Sequence, residues 1–201
     1  MSALYIRLDA VTRWLMKNIF LFLCVLASMF IHQGAEACVG KTLYIGVTNS
    51  PNELMFAEII SILVNERTGT AVKVVTYKNA SDMYSAVKKG EVGVFIENAD
   101  RALKLLNRPA EENAKASYDA AKKEYRQGLN LVWLEPFGGS QYYAPIISVE
   151  TINNLPALPK LINKLAGMMS DDTSARLLKS VKADEKPKRV ARDFLKTKKL
   201  I

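Results

Sequence analysis

The chain is poor in the residues from which most enzyme sites are made. Its 201 residues include two cysteines and one histidine, and all three fall within the first 38 positions, as Cys24, His32 and Cys38. A domain beginning at Cys38 therefore has no imidazole and a single thiol. That excludes a Ser-His-Asp or Cys-His catalytic site, an ordinary zinc site and an internal disulfide. Paired carboxylates stay formally open, but no spacing recommends them, and no nucleophile-elbow motif occurs. No catalytic residue, metal ligand or cofactor is expected, and the weight moves from enzyme toward binding protein.

Long hydrophobic runs are also lacking. The longest apolar stretch, Ile19–Ile31 (IFLFLCVLASMFI), holds 13 residues behind Lys17. A membrane-spanning helix needs about 20, whereas the core of a secretory signal needs about 7–15. Ala35-Glu36-Ala37 follows with the small-x-small pattern of a signal-peptidase site. Residues 1–37 therefore read as a signal peptide. Its natural start is Met16, immediately before the charge. A short uncleaved anchor is the bland alternative. Cleavage after Ala37 leaves Cys38 first, where a lipoprotein would also carry cysteine. Ala35 and Glu36 fit a lipid-attachment site less well, so lipidation of Cys38 ranks second to simple cleavage. The expected location is the periplasm or cell envelope.

Acidic charge is the minority sign. The whole chain carries a formal net charge of +8. Residues 1–37 hold three basic and two acidic side chains, so the remainder keeps +7, concentrated between Lys179 and Lys199. With no aromatic-basic nucleic-acid motif, this reads as a solvated basic face, and nucleic acid is not an expected partner. Roughly 160 residues suffice for one domain, 38–201, but not for two large lobes.

Thr42–Val47 (TLYIGV) reads as a buried strand. Ser50, Pro51 and Glu53 then suit the N-cap, first turn and reciprocal capping position of a helix that stops near Gly69. A strand at Val72–Thr76, a helix at Asn79–Lys89 and a strand at Val92–Ile96 follow. This rhythm with short connections predicts an α/β fold in three layers, a mostly parallel sheet flanked by helices. Helices are expected at Glu97–Leu106 and Ala110–Arg126, and strands at Leu131–Leu134 and Tyr142–Ser148. Three C-terminal helices should occupy about Ala157–Met168, Asp172–Lys182 and Pro187–Lys198, the middle one capped by Ser170-Asp171-Asp172. Ligands of open α/β sheets bind at the C-terminal strand ends, here Thr48-Asn49-Ser50, Glu97-Asn98 and Glu135-Pro136-Phe137.

Several stretches resemble the substrate-binding proteins of ABC transporters for glycine betaine, choline and related osmoprotectants, a branch of the two-lobed (type II) periplasmic binding proteins. They are IGVTNSPNELMFAEIISILVNERTG, YSAVKKGEVGVFIENADRAL, KKEYRQGLNLVWLEPFG, and the tail from YYAPIIS to VARDFLKTKKLI. The resemblance implies a non-enzymatic exported protein that takes a small solute, a quaternary ammonium among the candidates, and works with an ABC permease or another envelope protein. Two departures stand out. The family inserts a whole second lobe after the LVWL-type strand, whereas here residues 137–141 connect directly onward, so the chain looks like one lobe. The family's Tyr-Pro-Glu-Tyr-Thr-Gly-Thr motif is here Phe95-Ile96-Glu97-Asn98-Ala99-Asp100-Arg101, which keeps the acid and loses the second tyrosine.

The ligand-contact residues implied are Asn49, Ser50, Glu53, Glu97, Asn98 and Tyr143. Binding would run along the strand ends, or through a homodimer that rebuilds the missing wall. The alternative is a protein-interaction module that keeps the lobe and has lost small-ligand binding.

Overall fold

The computed structural model describes residues 42–182 and 186–201; the expected signal peptide, its expected start at Met16 and Cys38 lie outside them. Within these residues the chain forms β1 (Leu43–Val47), α1 (Pro51–Thr68), β2 (Val72–Thr76), α2 (Ala80–Lys88), β3 (Val94–Asn98), α3 (Ala99–Leu105) and α4 (Ala114–Gly128). Next come β4 (Leu131–Trp133), β5 (Tyr143–Ser148), α5 (Val149–Asn154), α6 (Leu158–Ile162) with a 3₁₀ turn at Asn163–Leu165, α7 (Asp171–Lys182) and α8 (Pro187–Thr197). The sheet order is β2-β1-β3-β5-β4. β1 pairs in parallel with β2 and β3, and β5 runs antiparallel to β3 and β4. Four strands thus point one way, and the expected three-layer, mostly parallel sheet is present.

Alternation along the strands builds two cores. Ile45, Val47, Val94 and Ile96 face α1, α6 and α8 through Phe56, Ile60, Leu63, Ile162 and Phe194. Phe95, Trp133, Ala144 and Ile146 face α2, α3 and α4 through Met83, Leu103, Tyr118 and Tyr125. The connection from β1 to β2 therefore lies on one face and that from β2 to β3 on the other. The gap between the C-terminal ends of β1 and β3 is the topological switch point, the crevice where open α/β sheets hold ligands. Among the described residues no helix is long and apolar enough to cross a membrane.

Two expected helix starts shift, each time because an asparagine captures backbone N–H groups that a helix leaves unpaired. Asn98 accepts from the backbone N–H of Asp100 at 3.1 Å and of Arg101 at 3.2 Å, so α3 begins at Ala99 and Glu97 stays in β3. Asn113 accepts from Ala116 N–H, moving the start of α4 from the expected Ala110 to Ala114. Ser50 occupies the N-cap of α1 but makes no side-chain cap bond, and Glu53 turns inward instead of capping it. Helix α5, capped by Ser148, was not foreseen. The expected helix over Ala157–Met168 is shorter, ending at Ile162 with the 3₁₀ turn beyond it. Ser170 does cap α7, accepting from Thr173 N–H at 3.2 Å.

Candidate functional site

Two carboxylates meet at the switch point from opposite faces of the sheet. Glu53 arrives from the first turn of α1 and Glu97 from the end of β3; both side chains are fully buried. Burying an unpaired carboxylate is very costly, so each must be satisfied inside. Glu53 Oε2 accepts from Thr48 N–H at 2.7 Å and from Thr48 Oγ1 at 2.9 Å. Glu97 Oε1 accepts from Asn98 N–H at 2.8 Å, and Glu97 Oε2 accepts from the Tyr84 hydroxyl at 3.2 Å. The Tyr84 and Tyr125 hydroxyls lie 2.5 Å apart behind it.

Arg101, from the first turn of α3, lies between the acids. Its Nη1 is 2.7 Å from Glu53 Oε1, and its Nε pairs with Glu97 Oε1. Burial opposes the guanidinium charge, but Glu97 and then Glu53 more than offset this and hold Arg101 still more firmly cationic. Desolvation dominates at Glu97: despite Arg101 and the Asn98 N–H, its carboxyl is pushed up to about 7.

Beside this cluster, on the same edge of the sheet, is a cavity of about 210 Å³ lined by Asn52 and Phe56 of α1, Gln141, Tyr143, and Asp171 and Ser174 of α7, among others. Its two aromatic lining residues are neighbours: the Phe56 ring lies 5.6 Å from that of Tyr143, and Phe56 also stacks on the buried Phe137 at 4.6 Å. Asn98 Nδ2 donates to the Gln141 carbonyl at 2.6 Å, tying the cavity wall to the switch point.

The connection between β4 and β5 is short, spanning residues 134–142 with no inserted domain. Gly138 and Gly139 adopt φ of +113° and +79°, a region that favours glycine. A Cβ on Gly138 would sit 2.9 Å from the Met169 carbonyl, and one on Gly139 would sit 2.7 Å from Asp171 Oδ1. Asp171 pins the turn by accepting from Ser140 N–H at 3.0 Å and from Ser140 Oγ at 3.2 Å.

Residues 41–154, more than half of the chain, match the family described as the substrate binding domain of ABC-type glycine betaine transport systems. The chain belongs to this family. No curated protein matches the sequence. Among solved structures, a glycine betaine/carnitine/choline ABC transporter superposes with a TM-score of 0.72 at 12% identity, covering 80% of this chain and 98% of the other. Apo YehZ from Escherichia coli gives 0.71 at 12% identity, covering 81% and 100%. Lactococcal OpuAC, closed on glycine betaine, gives 0.52 at 10% identity, covering 79% and 96%. At these identities the likeness is one of fold, and it agrees with a single substrate-binding-protein lobe.

Against that family background, the six contact residues expected from sequence separate into three groups. Glu53, Glu97 and Asn98 converge at the switch point, but their polar atoms are engaged by the chain itself. Asn49 and Ser50 lie at the end of β1 and line no part of the cavity. Tyr143 alone lines it. Sequence reasoning missed Arg101, Asn52, Phe56 and Asp171. Arg101 follows Glu97 by four residues across a strand–helix junction, a spacing whose meaning depends on where the helix starts. Phe56 looks like any apolar helix residue, and Asp171 reads as part of a cap.

Proposed function

We propose that the protein is an exported solute-binding lobe of the glycine betaine transport type, cleaved before Cys38, which takes a small quaternary-ammonium or zwitterionic solute in the cavity beside Tyr143. The cavity carries this reading. Cation–π attraction holds a quaternary ammonium over aromatic faces, and the Tyr143 and Phe56 rings line this space together with the Asp171 carboxylate. Asn52 and Gln141 supply amide donors for a solute carboxylate. With only one lobe, closure of two lobes around the ligand is not available, so the bound solute stays partly open to water and affinity is modest. A permease or another envelope protein is the natural recipient, and a second copy of the chain is a candidate for the missing wall. No bond is made or broken by the protein.

A second reading has its own observation. Glu53, Glu97 and Asn98 are engaged by the chain's own groups, as in a lobe kept for docking to an envelope protein after solute binding was lost.

Calorimetry of the processed protein against glycine betaine, choline, carnitine and proline betaine, with native mass spectrometry, separates the two. Saturable heat that Tyr143→Ala abolishes supports solute binding. A flat response with a monomeric mass favours the docking module.

A further inference from the structure

We propose that Arg101 is a tethered cation filling a two-carboxylate site at the β1/β3 switch point, a site whose free occupant would be a small guanidinium-class monocation. The location is the crevice where open α/β sheets accept ligands, yet here the chain occupies it with its own side chain. The two acids reach it from separate elements on opposite faces of the sheet, and both are fully buried.

Each acid also has anchors other than Arg101. Thr48 N–H and Oγ1 hold Glu53, while Asn98 N–H and the Tyr84 hydroxyl hold Glu97. Removing the guanidinium thus leaves two carboxyl groups still tethered by these other partners, not a pair of released side chains. Arg101 is also an incomplete fit: its buried Nη2 has no hydrogen-bond partner, and Glu53 Oε1 has only the ionic contact. An arginine optimised as a structural clasp would pair as a bidentate fork. The selectivity follows from donor count. A guanidinium supplies N–H groups to both acids at once, and a quaternary ammonium supplies none.

Chemical rescue tests this in the full processed protein, independently of any solute at Tyr143. Arg101→Ala deletes the atoms that N-ethylguanidinium replaces. The variant should unfold at lower temperature than the parent. Millimolar N-ethylguanidinium should then raise its Tm saturably, tetramethylammonium or urea at equal concentration should not, and the parent should not respond. Adding Glu53→Gln and Glu97→Gln should abolish the rescue. No rise, or the same rise in the parent or the triple variant, overturns the proposal and leaves an ordinary structural ion pair. If Arg101→Ala does not fold, refolding yield with and without N-ethylguanidinium replaces Tm: yield restored only by the cation supports the site, and yield unchanged overturns it.

Discussion

Glu97 combines full burial, a neighbouring arginine and a carboxyl lifted to about 7. Its unfolded-state value is near 4.5. Between those limits the folded protein binds more protons at this position than the unfolded chain does. Stability should therefore fall as pH rises from about 4.5 to 7, and level off above. In Glu97→Gln this contribution vanishes, which urea unfolding of both proteins across that range will reveal; superimposable pH profiles would show that Glu97 is already ionised throughout. Tyr143 belongs to the same scale. Tyr143→Phe keeps the ring and should bind solute within a few-fold of the parent, whereas Tyr143→Ala should lose at least about tenfold, near the ~1–2 kcal/mol of a shielded cation–π contact. Equal losses in both would assign the role to the hydroxyl, which makes no hydrogen bond among the described residues.

At the scale of elements, α1 is the axis of one core, burying Met55, Phe56, Ile59, Ile60, Leu63 and Val64. Ile60→Ala, at a fully buried position, should cost about 2–5 kcal/mol in denaturant unfolding. Asn113→Ala removes the cap of α4 and should cost about 0.5–2 kcal/mol.

The elements themselves were largely legible in the chain. β1, β2 and the helices around Pro51, Ala80 and Pro187 announced themselves through apolar runs, Pro at a first turn and Gly at an end. What misled was local ambiguity. Ser50-x-x-Glu53 has the spacing of a capping box, yet Glu53 is drawn inward by Thr48 and Arg101, a tertiary pull that no window of sequence contains. Asn98 and Asn113 each moved a helix start because an asparagine before a helix can serve as cap or as first turn. The site was less legible than the fold. Its cavity draws residues from α1, the 138–141 turn, β5 and α7, and only their assembly brings Phe56 and Asp171 against Tyr143.

For the whole molecule, the decisive feature is that β4 returns to β5 through residues 134–142, a short connection whose Gly138-Gly139 turn is pinned by Asp171, so that the described residues form one lobe around an open sheet. On the solute-binding reading proposed above, a single lobe would hold its ligand on a fixed surface, so binding should leave the fold unchanged and perturb only the cavity and its rim. Glycine betaine titrated into ¹⁵N-labelled processed protein, followed by amide chemical shifts, tests this most directly. Solute binding in the cavity should give saturable shifts confined to Asn52, Gln141, Tyr143, Ser174 and their immediate neighbours, absent in Tyr143→Ala. Shifts centred elsewhere, or none across the osmoprotectant panel, would contradict it.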